Sequence, residues 1–397
     1  MKNSLCLLWL EGVRPERLSA VPFLTEQAKN GVDLQLVPLP LSEKSVCYYQ
    51  TLTGMGSGKL GRFDAVYPSG YKAQEDTGVP DGAYGRLLPD LLRSKKLEVT
   101  FLEAKNREIL NTLADQSFDC AIVHLLDMGN AGSDELDAML RRCAGRLAPE
   151  THLLVLADAW GQPAQRLVNI NDFLADVGLL ETRADRGQAH IVWSETLAYG
   201  LGTGQVWVNL RGREPEGIVG SGREYQDVCD ALINELRTNW RDPETNELVV
   251  EQVLRREEAY SGDYLFKAPD LIVVYRPGYA ASPKAIALDF DGQSVHASGQ
   301  AIDAPPAAPF ARLTGSGPCL AHGFAASGKL VDLVPNLLYL LDRPVPTYID
   351  GNVISPMFTP SYREQTPIRQ LDSDDELLSD EEEGMIVDRL RDLGYLG

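Results

Sequence analysis

The feature that most limits the fold is a repeated one, an apolar run that closes on a carboxylate. LLVLADAWG (153–161) sets four aliphatic residues and an alanine ahead of Asp158 and a glycine-containing turn. SLCLLWLEG (4–12) ends the same way at Glu11, and FDCAIVHLLDMGNA (118–131) at Asp127. Runs without polar alternation suit strands buried on both faces, as in a parallel sheet covered by helices. Ligands in such sheets bind beyond the carboxyl ends of the strands. The three runs therefore read as delivering Glu11, Asp127 and Asp158 to one edge of a sheet.

The neighbouring sequence supports that reading. A helix is expected near 15–30, a strand at 32–39 and a helix starting near Ser42. A glycine-rich loop over 54–89, a strand at 97–102 and a helix at 105–113 follow. Ser133 opens another helix, with Asp134 and Glu135 in its first turn and Leu136, Met139, Leu140, Cys143 and Leu147 on one face. Repeated strand–helix units argue for an α/β fold with a mostly parallel central sheet flanked by helices. The second half is less regular. Strands are expected at 190–194, 205–210 and 270–275, an amphipathic helix at 225–240, and an apolar helix at 331–341 that carries Pro335. The expected organisation is one domain over 1–362 with a smaller cap or insertion at about 183–285, then an acidic tail over 363–397 ending in a short helix.

Charge and cysteine usage narrow the function classes. The net charge of −20 over 397 residues disfavours non-specific contact with nucleic acid or an anionic membrane. Eight of the acids fall in DSDDELLSDEEE (372–383), a solvated segment that could dock on a basic protein partner. Six cysteines without a CxxC pair indicate a reducing compartment. The apolar run LCLLWL is too short for a signal-peptide core, and no stretch reaches the ~20 residues of a membrane span. The expectation is a cytoplasmic protein with no nucleic-acid or membrane partner.

Three longer segments carry a resemblance. VNLRGREPEGIV (208–219), DPETNELVVEQVLRREEAYSGDYLFKAPDLIVVY (242–275) and VDLVPNLLYLLDRPVPTYIDGNVI (331–354) resemble the alkaline-phosphatase superfamily, in its type I phosphodiesterase/nucleotide-pyrophosphatase-like branch. The ending DRLRDLGYLG (388–397) is similar to that branch as well. The resemblance implies an alkaline-phosphatase-like α/β fold. It also implies two divalent metals that stabilise the attacking and leaving oxygens of phosphoryl transfer, with a Thr or Ser nucleophile at a helix N-terminus.

Carried onto this chain residue by residue, that pattern is depleted. Glu11 stands where the resemblance implies an Asp. Lys44 stands at the nucleophile position nine residues before the Thr53-Gly54 pair. The Asp-x-x-x-His motif becomes Asp127 with Ala131, the Asp-His pair becomes Asp158 with Ala159, and Cys319 takes the place of the last His. A catalytic zinc site usually needs three protein ligands. The sequence thus points to a catalytically degenerate member, a pseudoenzyme acting as a binding, scaffold or partner protein. The alternative is a metal-dependent phosphodiesterase or phosphohydrolase with an altered site. No cofactor is expected, and zinc or manganese belongs to the alternative.

The degenerate pocket is expected to hold Glu11, Lys44, Ser45, Asp127, Asp158 and Cys319, with Glu11, Asp127 and Asp158 as residual metal ligands. A slip in register would put Ser42 or Ser45 at the nucleophile position. Without two dications the carboxylates would raise each other's pKa. Lys44 is therefore expected to pair with Asp158 or Glu11 as a built-in replacement cation, against the simpler reading of a solvent-facing lysine. Cys319 reads as a ligand, a reactive thiol or a small filler, and His124, within an apolar strand, as a core histidine. GMGSGK (54–59) fails the phosphate-loop spacing, since Leu60 follows Lys59, and reads as a turn.

Overall fold

The computed structural model describes residues 3–13, 15–37, 44–84, 86–105, 117–158, 162–185, 188–304 and 311–371. Seven strands build its main sheet: β1 (Ser4–Glu11), β2 (Val32–Val37), β3 (Val99–Ala104), β4 (Cys120–Leu125), β5 (Thr151–Asp158), β6 (Ala311–Ser316) and β7 (Phe324–Lys329). The spatial order is β7-β2-β6-β5-β1-β4-β3. Six strands run one way and β6 alone runs against them. The parallel strands are bridged by helices, and the central ones read as uninterrupted apolar runs because both faces are covered.

Alternation along β1 divides the core in two. Leu5, Leu7 and Trp9 face the helices α2 (Lys44–Thr53), α3 (Leu88–Ser94) and α6 (Leu333–Leu340). Cys6, Leu8 and Leu10 face α1 (Pro22–Asn30) and α4 (Ser133–Ala144). The single helix expected over 15–30 is two, Pro15–Leu18 and α1, because Pro22 pushes Val21 into an extended conformation at φ −98°, ψ 107°. The proline in the apolar stretch 331–341 does not break its helix. Pro335 sits in the first turn of α6, where its missing N–H costs nothing.

A second apolar core lies beneath a four-stranded antiparallel sheet of Ala198–Leu201, Gln205–Val208, Leu271–Tyr275 and Val250–Arg255. Helix α5 (Arg223–Thr238) packs on it through Cys229, Leu232 and Leu236. This core draws on residues from Val168 to Val295, so it reaches past both ends of 183–285. The stretch 248–260 resolves into the strand Val250–Arg255 and a one-turn helix, Arg256–Ala259. The helix expected at 105–113, Ser42, Ala159 and the acidic segment 372–397 lie outside the described residues, apart from Lys105. Among the described residues no helix is long and apolar enough to cross a membrane.

Candidate functional site

The register of β1 against its neighbours assembles the edge. Glu11 pairs with Asp158 across β1 and β5, and Trp9 with His124 across β1 and β4. Glu103 on β3 pairs with His124 in turn. The loops after β1 and β4 meet glycine to glycine: a Cβ on Gly129 would stand 2.9 Å from the Gly12 carbonyl oxygen. Arg17 donates to the carbonyls of Gly129 and Ala131 and fastens the second loop.

Each carboxylate at this edge is already engaged by the chain. Lys44 Nζ, at the start of α2, is 2.6 Å from Glu11 Oε1. His124 Nε2 lies 3.1 Å from Glu11 Oε2, and its Nδ1 is 2.9 Å from Glu103 Oε1. Burial pushes the Glu11 carboxyl up, but the contacts with His124 and Lys44 outweigh it and hold the group at about 2. Burial likewise lowers His124, and its contacts with Glu11 and Glu103 more than offset this, so the imidazole is raised. Asp158 is buried; its Oδ2 accepts from Trp9 Nε1 at 2.6 Å and its Oδ1 from the Gly12 N–H at 3.2 Å. Asp127 takes the left-handed conformation, φ 58°, ψ 34°, and its exposed carboxylate meets Lys105 Nζ at 2.7 Å.

Lys44 therefore pairs with Glu11, one of its two expected partners. Ser45, Lys44 and Glu11 line a cleft of about 570 Å3, together with Tyr48, Tyr49 and Arg62. Trp9 stacks on His124 at 4.0 Å and on Tyr48 at 5.5 Å, so an aromatic layer backs the charged groups. Asp127 and Asp158 are absent from this cleft's lining, which leaves Glu11 as its one member of the carboxylate trio.

Cys319 does not join the site. Strand β6 runs opposite to its neighbours, pairing Ala311 with Asp158 and Ser316 with Leu153. Its end leads Cys319 to the far edge of the sheet, where the backbone N–H bonds His152 Nε2 at 3.1 Å and Sγ faces Asn3 Oδ1 at 3.8 Å. Burial pushes its thiol up, away from the thiolate that metal binding needs. Residues 305–310, which precede Ala311 in the sequence, lie outside the described residues. The segment 54–59 is a turn that runs into a one-turn helix, Ser57–Leu60. Lys59 is held there by Asp350 at 2.7 Å and by the Tyr348 carbonyl, so it is not free to meet a phosphate.

His124 and Glu103 are the site residues that sequence reasoning missed. His124 sits in an apolar run and reads as core, yet it bridges two glutamates. The available signal is that its strand borders the one ending at Glu11.

The donors among the described residues do not fit a pair of divalent metals. Among the described residues no group of three or more His, Cys, Asp or Glu could hold a metal ion. Ala131 is buried in the apolar core where the resemblance implies a histidine, and the Lys44 ammonium, which would repel a cation, stands on Glu11.

The mostly parallel sheet flanked by helices matches an α/β fold of the alkaline-phosphatase type, as found in nucleotide pyrophosphatase/phosphodiesterases. Among solved structures the chain is similar to murine ectonucleotide pyrophosphatase/phosphodiesterase 5, with a TM-score of 0.55 and 12% identity over 90% of this chain and 100% of that one. An inactive variant of the murine protein in complex with AMP gives 0.54, and the human protein 0.52, each at 12% identity and the same coverage. No family model matches the chain, and no curated protein does.

Proposed function

We propose that this chain is a catalytically degenerate relative of the phosphodiesterases it resembles and works by binding a ligand or partner, not by turnover. One observation carries the reading: the carboxylates at the carboxyl edge are engaged from within, two of them by lysine ammonium groups. Lys44 and His124 serve Glu11, Lys105 serves Asp127, and the Trp9 and Gly12 N–H groups serve Asp158. Cations of the chain stand where dications would otherwise balance the charge. The cleft beside them keeps the volume of a small-molecule site. AMP, held by one of the similar structures, is the first probe to try there. A protein partner engaged through the acidic segment 372–383, in a cytoplasmic setting, belongs to the same reading.

The test is elemental analysis of protein purified without added metal or chelator, paired with turnover of bis(p-nitrophenyl) phosphate. The expected result is zinc, manganese and iron far below one equivalent, with no turnover. One or two equivalents of a divalent metal, and turnover lost in an Asp127→Asn/Asp158→Asn variant, would overturn it in favour of a metal-dependent phosphodiesterase with an altered site.

A further inference from the structure

Two-residue hairpin loops with both φ angles positive are built mainly from glycine, asparagine and aspartate, and a bulky side chain is rare there. The hairpin of Val66–Pro68 and Ala73–Glu75 departs from that rule. Ser69 and Lys72 close its loop with two backbone hydrogen bonds of 2.9 and 3.2 Å. Between them stand Gly70 at φ 54° and Tyr71 at φ 63°. A tyrosine in the left-handed region strains the turn, and such strain persists only where the surroundings over-determine it.

The surroundings here are a socket. The Tyr71 ring stacks on Trp193, with centroids 3.7 Å apart and planes 5° from parallel. Its Oη donates to Asn209 Oδ1 at 2.6 Å and accepts from the Glu216 N–H at 3.0 Å. Asn209 is buried, and its Nδ2 donates to the carbonyls of Trp193 and Thr196 at 2.8 and 2.9 Å, which fixes its Oδ1 toward the hairpin. Among the described residues, the hydrogen bonds from 66–75 to the smaller core all run through Tyr71.

The rest of the hairpin is lightly held. Its ladder has three pairs, Ala73, Gln74 and Glu75 are exposed, and among the described residues it joins no larger sheet. A two-stranded ladder alone is marginal in water. The root, by contrast, is fixed. Buried Arg62 meets Asp76 at 2.5 Å and donates to the Gly78 carbonyl, and the Asp76 N–H bonds the Ala65 carbonyl at 2.8 Å. The hairpin stands between the cleft beside Lys44 and a second cleft of about 500 Å3, which Gln205 and Trp207 line from the four-stranded sheet. Glu75 faces the first cleft, Tyr67, Pro68 and Gly70 the second, and Val66 both.

We propose that the hairpin 66–75 is a hinged flap between the two clefts, latched at its tip by Tyr71, and that release of the latch joins the clefts into one. The strained turn is the cost of placing a tyrosine where it reaches the socket. The device stands whether the carboxylate edge binds or turns over its ligand.

The test uses the full chain and two variants. Tyr71→Phe keeps the stack and loses both hydrogen bonds, whereas Tyr71→Gly relaxes the turn and loses the whole latch. Hydrogen exchange of the 66–76 amides should speed about ten- to thirtyfold in Tyr71→Phe, the worth of two hydrogen bonds, and further in Tyr71→Gly. Hydroxyl-radical labelling read by mass spectrometry should rise at Val66 and Trp207 in Tyr71→Gly. Circular dichroism and melting separate an opened flap from a lost fold, and Tyr71→Phe carries the test should Tyr71→Gly unfold. Exchange that is unchanged in both variants, or slowed in Tyr71→Gly as a relaxed turn alone would give, would overturn the latch. Faster exchange with unchanged labelling of Val66 and Trp207 would overturn the gate and leave only a loose loop tip.

Discussion

Replacing Lys44 by methionine removes the ammonium and keeps most of the stem. The side chain is 52% exposed, whereas that of its partner Glu11 is 10% exposed. A fully exposed pair is worth roughly 0–1 kcal/mol and breaking a buried one costs roughly 3–5 kcal/mol. This pair lies between those limits, and His124 continues to serve Glu11 in the variant, so Lys44→Met should cost about 1–2 kcal/mol at pH 7. At about 2.1 cal/mol/K per residue, 397 residues carry an unfolding entropy of about 0.8 kcal/mol/K. The expected fall in Tm is thus about 1–3 °C, measurable by scanning calorimetry against Lys72→Met, a change at an exposed lysine that should stay within about 0.5 kcal/mol. The Glu11→Gln/Lys44→Met double variant should lose less than the sum of the singles, because the two side chains share one interaction. The effect should also shrink below pH 4.5, as the carboxyl protonates. Equal melting of Lys44→Met and Lys72→Met, or strict additivity with Glu11→Gln, would refute the replacement-cation argument.

Three further outcomes follow from the same edge and its surroundings. Glu11 is lowered from 4.5 to about 2, so its contribution is present above pH 4.5 and is lost as pH falls toward 2; His124 is raised above 6.5, so its contribution is full below pH 6.5 and fades as pH rises through its folded value. The cluster should therefore stabilise most between pH 4.5 and 6.5, and the alkaline fade should be absent from the melting profile of His124→Gln. Trp9→Phe should cost about 2–3 kcal/mol in denaturant titration by stripping a donor from buried Asp158, while Asp127→Asn, at an exposed and salt-screened pair, should cost under about 1 kcal/mol. Asp350→Asn should lower Tm and speed proteolysis near residues 54–61, because Asp350 holds both Lys59 and the Gly56 N–H.

What could be read from the sequence followed from burial, and what could not followed from direction and register. β1, β4 and β5 were legible because a strand covered on both faces must be apolar throughout, so the residue where that stops marks the sheet edge. Lys44 was legible as a cation for Glu11, one of the two partners expected for it. Cys319 was assigned to the pocket by the resemblance alone, and nothing local in ARLTGS says that β6 runs against the sheet and carries Cys319 to its other end. His124 and Glu103 were missed for a related reason. Each looks ordinary in its own strand, and only the β3-β4-β1 order sets Glu103, His124 and Glu11 side by side. That adjacency changes the meaning of the site. Glu11 alone would be a stray ligand of a lost metal, but with a raised imidazole on one oxygen and an ammonium on the other it is the centre of a closed charge network. A cation entering from solvent would have to displace two partners that the chain holds in place. That network is what the proposed binding function rests on, and Lys44 and His124 are where it can be tested.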